Sequence, residues 1–331
     1  MKNLLQTLMV VFLIAGNSIE STYAQGCCTP GTSALTGAER GVSSPRTFKL
    51  ALSYQHSGLD QAYQGNTPVE DVLRRKASVV TLNLDLEYGL GERVSAVAIV
   101  SFGTKQRRFS TTSAIGNITE TTEYRATGLG DVTMIAKYSL IKPGIFSPYE
   151  VAIGGGAKLP VGSYTKKNNG VKLAIDLQLG TGAADLLGWL FASRSFRQYR
   201  TTISASLLYR YAGANPDGYK FGNEWLPTFA VEYNPLNWLG LSLLARARIA
   251  EKDFAEGRFL PSTGGETYSL VPTILYREGR FALRAYQQIP VYRNLLGTQL
   301  SLSKTFGVEL QVWFDFGRSK VSPIPNLLET R

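Results

Sequence analysis

Residues 298–316 read TQLSLSKTFGVELQVWFDF. From Thr298 the even positions are Leu300, Leu302, Lys304, Phe306, Val308, Leu310, Val312, Phe314 and Phe316, and the odd positions are Gln299, Ser301, Ser303, Thr305, Gly307, Glu309, Gln311, Trp313 and Asp315. Successive side chains of a strand point to opposite faces, so this is a strand with one apolar and one polar side, interrupted clearly only at Lys304. Strands of soluble domains usually run about five or six residues. One this long, charged in mid-strand on a single face, needs water along one side and an apolar medium along the other.

The same alternation recurs upstream. VVTLNLDLEYG sets Val80, Leu82, Leu84, Leu86 and Tyr88 against Thr81, Asn83, Asp85 and Glu87. DVTMIAKYSL sets Val132, Met134, Ala136, Tyr138 and Leu140 against Asp131, Thr133 and Lys137, and TTISASLLYRY sets Ile203, Ala205, Leu207, Tyr209 and Tyr211 against Ser204, Ser206 and Arg210. LGLSLLARARI sets Leu239, Leu241, Leu243, Ala245, Ala247 and Ile249 against Ser242, Arg246 and Arg248. Segments of roughly ten residues are what a tilted strand needs to cross a bilayer. The charged face then has to meet water inside a closed barrel, because an open sheet edge in lipid leaves backbone groups unpaired.

The connections supply a count. Short turns fall at 88–93, 141–148, 196–200, 234–238 and 277–280, and longer polar loops near 57–73, 104–127, 159–184, 212–224, 251–266 and 289–297. Short and long alternate, as periplasmic turns and extracellular loops do in outer-membrane barrels. The expectation is an all-β fold: one transmembrane antiparallel β-barrel of about twelve strands over 46–316, with both termini periplasmic. KLAIDLQLG (172–180) breaks the alternation if taken as a strand. It is read instead as part of an apolar, turn-rich loop folded toward the lumen mouth, with Leu177, Leu179 and Gly180 packed.

The N-terminus sets the compartment. Lys2, an apolar core from Leu4 to Ala15, and small residues Thr22 and Ala24 have the layout of a cleaved secretory signal peptide over 1–24. A periplasmic arm (25–45) and a periplasmic tail (317–331) flank the barrel, which is expected in the outer membrane of a Gram-negative cell. Its expected partners are outer-membrane lipid, the barrel-assembly machinery and a small-molecule solute. The net charge of +10 does not imply nucleic acid, because Lys and Arg are spread along the chain without a basic helix or zinc motif.

Several phrases carry a family resemblance: GLGDVTMIAKY (128–138), GAKLPVGSY (156–164), LQLGTGAADLLGWLFASRSF (177–196), GYKFGNEW (218–225) and IPVYRNLLGTQLSLS (289–303). They resemble the outer-membrane barrels of the meta-pathway phenol-degradation family, from about residue 128 to the end of the barrel. The resemblance implies a transporter or channel for small, aromatic or hydrophobic compounds, without defined functional residues. TFGVELQVWFDF also resembles the terminal-strand signal read by the barrel-assembly machinery, although GRSKVSPIPNLLETR follows it here.

Catalysis has little to stand on. The one histidine, His56, neighbours Ser57, and adjacent strand residues face opposite ways, so the two are badly placed as base and nucleophile. Cys27 and Cys28 are the only cysteines; two adjacent thiols could hold a soft ion such as Cu(I) or form disulfides, and with no further Cys and no nearby His no metal or cofactor site is assigned. The lumen is more informative. Parity sends Arg194, Arg210, Arg246, Arg248, Arg277 and Arg284 inward from later strands, and Asp85, Glu87 and Glu309 inward from the early and last strands. Such charges either line a solute pathway that favours anions or pair with one another inside a narrow barrel. The function expected is passage of a small solute through a polar lumen; the alternative is a plugged structural or interaction barrel whose loops or N-terminal arm bind a partner.

Overall fold

A computed structural model describes residues 39–112, 119–144 and 147–316. The expected signal peptide (1–24), Cys27 and Cys28 and the expected periplasmic tail (317–331) lie outside the described residues. Eleven continuous strands form the wall: β1 (Thr47–Gly65), β2 (Lys76–Gly89), β3 (Val94–Thr112), β4 (Thr119–Ile141), β5 (Tyr149–Leu159), β6 (Asp185–Phe196), β7 (Thr201–Tyr211), β8 (Glu224–Leu236), β9 (Leu239–Ala250), β10 (Gly265–Glu278) and β11 (Phe281–Asp315). Each pairs antiparallel with its sequence neighbour, and β1 pairs with β11 from Thr47↔Asp315 to Gly65↔Leu295, which closes the barrel. A short strand, Thr67–Val69, hangs on β1 outside the wall.

β11 contains two of the expected strands. Its 281–295 limb pairs with β10 and its 295–315 limb with β1, while Trp313 N–H donates to Arg280 O at 3.0 Å. The run therefore doubles back at 295–297, where Gly297 takes the left-handed φ of 73°, and twelve passes surround the lumen. The loop expected near 289–297 is only this turn. The loops expected near 57–73 and 104–127 are likewise shorter, because β1 continues to Gly65 and the β3–β4 hairpin stays paired out to Thr112↔Thr119. Once a strand leaves the bilayer both of its faces can meet water, so polar residues there do not mark its end.

The two faces separate as the alternation requires. On β2, Leu82 is 40% exposed and Asn83 1%. The outer wall carries two aromatic rows, Tyr88, Tyr138, Tyr233, Trp238 and Tyr276 toward the short-turn end and Tyr211, Trp225, Tyr268, Tyr292 and Phe306 toward the other. Amphipathic rings favour the two membrane–water interfaces. His56 faces outward and Ser57 inward, where its hydroxyl meets that of Thr305 at 2.8 Å.

Candidate functional site: a lumen closed from both ends

From the short-turn end, residues 39–44 enter the barrel without joining the sheet, so their backbone groups must be satisfied by side chains of the wall. Lys137 Nζ donates to the carbonyls of Arg40 (2.9 Å) and Gly41 (3.2 Å), Val42 N–H donates to Glu150 (2.8 Å), and the Arg40 guanidinium donates to Gln311 (2.7 Å). Glu39 receives two guanidinium groups, Arg246 on one carboxylate oxygen and Arg284 on the other at 3.1 Å. Below them Glu87 lies between Lys137 (3.6 Å) and Lys49 (3.8 Å). Arg277 donates to Glu232 at 2.6 Å and to Asn234.

A second charged tier lies toward the long-loop end. Lys158 bridges Asp131 (3.1 Å) and Asp185 (2.8 Å); Arg210 bridges Asp185 and Glu224, both at 3.1 Å; Arg248 also reaches Glu224. The 160–184 loop folds onto this tier. Leu173, Leu177 and Leu179 are buried, Lys105 Nζ donates to the carbonyls of Asp176 (2.6 Å) and Gln178 (2.7 Å), and Arg107 pairs with the Asp176 carboxylate. Ile175–Leu177 is a 3-10 turn, so KLAIDLQLG is no wall strand. Gly180 packs so tightly against Gly162 that a Cβ there would lie 2.4 Å from its carbonyl oxygen. Above the loop, Tyr219, Phe221, Ala255 and Leu260 form an apolar cap. Beneath it, Tyr219 Oη donates to Asp253 (2.5 Å), as does Gly222 N–H (2.8 Å). Burial raises the carboxyl pKa of Asp253, whose loop lies beyond the strand ends.

Between the tiers, on the adjoining strands β4 to β8, lies an apolar patch of Ile135, Leu187, Trp189, Phe191, Leu208 and Leu226, with Val42 of the arm packed against it; the inner faces of β1, β2 and β3 are polar there, with Gln55, Asn83 and Ser101. The Trp189 and Phe191 rings stack at 5.7 Å, and the Lys137 ammonium sits 4.9 Å from the Trp189 ring. Gly154 makes room for that indole; a Cβ there would come within 2.9 Å of it.

The expected lumenal residues Arg210, Arg246, Arg248, Arg277, Arg284, Asp85, Glu87 and Glu309 all face inward. Arg194 does not. It lies on the outer face of β6, its guanidinium 5.1 Å from the Tyr149 ring and 4.5 Å from Phe196. The reason is that β6 is apolar on both faces: Leu186, Leu190 and Ala192 face out while Leu187, Trp189 and Phe191 face in, so no polar face fixed the parity. The anionic partners Glu39, Asp185 and Glu224 sit at or before strand ends, where period-two reading gives little weight to single residues. Asn83, which alternation places in water, is instead packed among Ser53 and Ser101.

This closed wall, apolar outside and charged within, with short turns at one end, defines an outer-membrane β-barrel. Within that class the chain belongs to the family described as "Putative MetA-pathway of phenol degradation", whose sequence pattern matches residues 71–245. The match begins well before residue 128, where the quoted phrases begin, and ends at 245, short of the phrase at 289–303. Among solved structures, an outer membrane channel from Pseudomonas putida F1 shares the fold, with a TM-score of 0.61 at 13% identity over 84% of this chain and 98% of that one. A Pseudomonas aeruginosa FadL homologue aligns with a TM-score of 0.41 at 11% identity, over 89% of this chain and 98% of that one. The monoaromatic hydrocarbon channel CymD aligns with a TM-score of 0.41 at 9% identity, over 86% of this chain and 94% of that one. No curated protein sequence matches the chain.

Proposed function

We propose that this barrel is an outer-membrane channel for small solutes with an apolar or aromatic body, closed at rest by the 39–44 arm and opened by its withdrawal toward the periplasm. The observation that carries the reading is the order of surfaces along the lumen. An apolar patch around Trp189 lies between two charged tiers on one side of the wall. The arm covers it with Val42 and is held by side chains of the wall, so the arm can leave without breaking a sheet. The family's phenol-degradation description supports an aromatic solute. Such a patch gives the apolar body of a solute a surface to lie against, while the polar inner faces of β1, β2 and β3 can meet its polar groups. The arm follows the expected signal peptide, and on this reading both it and the C-terminal tail lie in the periplasm.

Glu39 pairs with Arg246 and Arg284 only while the arm is in place. Arginines stay charged at any working pH and rings of them bias pores toward anions. Conductance of the unaltered protein in a planar bilayer is expected to be small and to rise when residues 25–44 are deleted, with reversal potentials in a salt gradient showing anion preference in the deleted form. Cation preference there would refute the charge assignment. Absence of both ion conductance and aromatic flux in the deleted form would favour the second reading, a closed interaction barrel, which the pairing of both charged tiers supports.

A further inference from the structure

We infer that Arg246 and Arg284 form a carboxylate-binding site, that the Glu39 side chain occupies it in place of a ligand, and that small aromatic carboxylates open the arm by competing for it. The inference deepens the channel reading and rests on it for its consequence, though not for its geometry.

The two arginines come from different strands, β9 and β11, and both project inward. Arg284 is 6% exposed and lies over the Tyr286 ring at 5.3 Å, while Arg246 is steadied by Gln288 at 3.2 Å. Side chains held this way are oriented before a ligand arrives, and guanidinium groups match the two oxygens of a carboxylate. Glu39 satisfies that demand by placing one oxygen on each arginine. It belongs to a segment that joins no strand of the wall, so its hold is that of a tethered ligand rather than part of the wall.

A cavity of about 80 Å³ adjoins the bound carboxylate, lined among others by Glu39, Arg284, Ala230, Leu244, Thr273 and Leu275. Much of its lining is hydroxyl side chains, with Glu232 among the other residues, and Ala230, Leu244 and Leu275 give the apolar contacts that the ring of an aromatic carboxylate would meet. Glu39 holds both guanidinium groups, so a benzoate carboxylate can take them only if Glu39 yields them. Binding and withdrawal of the arm are then one equilibrium, since a ligand that binds only the withdrawn state shifts the population toward it.

The test is calorimetric titration of the full-length protein in detergent with benzoate and with benzamide, its uncharged counterpart. Glu39→Gln removes the competing charge without touching the wall. It is expected to tighten benzoate at least fivefold and leave benzamide unchanged, because a tethered competitor acts at an effective concentration on the order of millimolar. Arg246→Gln is expected to weaken benzoate at least tenfold, again sparing benzamide. Benzoate affinity equal in the unaltered and Glu39→Gln proteins, or benzamide following benzoate through the variants, overturns the inference. Should Arg246→Gln fail to fold, as read by heat-modifiable gel mobility, Glu39→Gln decides alone. The site and the channel fail separately. Benzoate that obeys Glu39 without any solute crossing a bilayer keeps the site and refutes the channel, whereas conductance with benzoate indifferent to Glu39 does the reverse.

Discussion

Leu243→Arg tests the placement of the bilayer. Leu243 is on the outer face of β9, 50% exposed, and pairs with Pro272 on β10. Tyr268 and Tyr276 stand four residues to either side of Pro272 on that strand, opposite Ala247 and Leu239. At about 3.3 Å per residue and a strand tilt near 40°, the two tyrosine levels lie roughly 20 Å apart along the membrane normal, close to the height of an outer-membrane apolar band. Leu243 is therefore at mid-membrane and Leu239 at the interface. Arginine at the midplane costs about 2–4 kcal/mol and near the interface about 0–1. Leu243→Arg is thus expected to lower the denaturant midpoint of refolding into vesicles by several times as much as Leu239→Arg. Equal costs at the two positions, or none at Leu243, would show that the aromatic rows do not mark the interfaces.

Three further outcomes follow from the interior. Glu224 is 1% exposed and accepts both Arg210 and Arg248; Glu224→Gln leaves Arg210 with Asp185 alone and takes the carboxylate from a partly exposed Arg248, and is expected to cost about 1–3 kcal/mol in the same refolding assay. Asp176→Asn removes the carboxylate from Arg107 and is expected to loosen the 160–184 loop, read as faster proteolysis of that loop and noisier single-channel current. At Asp253 burial raises the folded pKa above the unfolded one, so its protonated form is favoured in the cap. The contribution is full below the ordinary carboxylate pKa and is lost as pH rises through the folded one. Amide exchange in 251–264 should therefore be better protected near pH 4 than at pH 7 after correction for intrinsic rates, and Asp253→Asn should flatten that difference.

What could be read from the sequence depended on contrast between faces. Where one face was polar, as at Asn83 and Asp85 or Arg246 and Arg248, parity was correct, and five of the six arginines named from it do face the lumen. Where the lumen itself is apolar, at Trp189 and Phe191, the contrast vanished and Arg194 was assigned to the wrong side. The arm was beyond reach for another reason. Glu39, Arg40 and Val42 have no periodicity, since they form no ladder, and their role exists only through side chains from β4, β5, β9 and both limbs of β11. Pairing of lumenal charges was anticipated in kind but not in partner, because Glu39, Asp185 and Glu224 are separated from their arginines by strand register that alternation alone does not fix.

The seam between β1 and the last limb of β11 also constrains assembly in time. It joins Thr47 to Asp315, the two ends of the wall, and closing a loop of that length costs roughly 5 kcal/mol in chain entropy before any seam bond forms. Every other strand pair of the wall joins neighbours in sequence, so a curved open sheet can form first, with two bare edges facing each other. The arm precedes β1 directly, so it travels with one of those edges and must be in place, or free to thread in, when they meet. Pulse-labelled hydrogen exchange during refolding should find the amides of 47–57 and 305–315 among the last to be protected; early protection there would mean that the ends find each other before the middle is built.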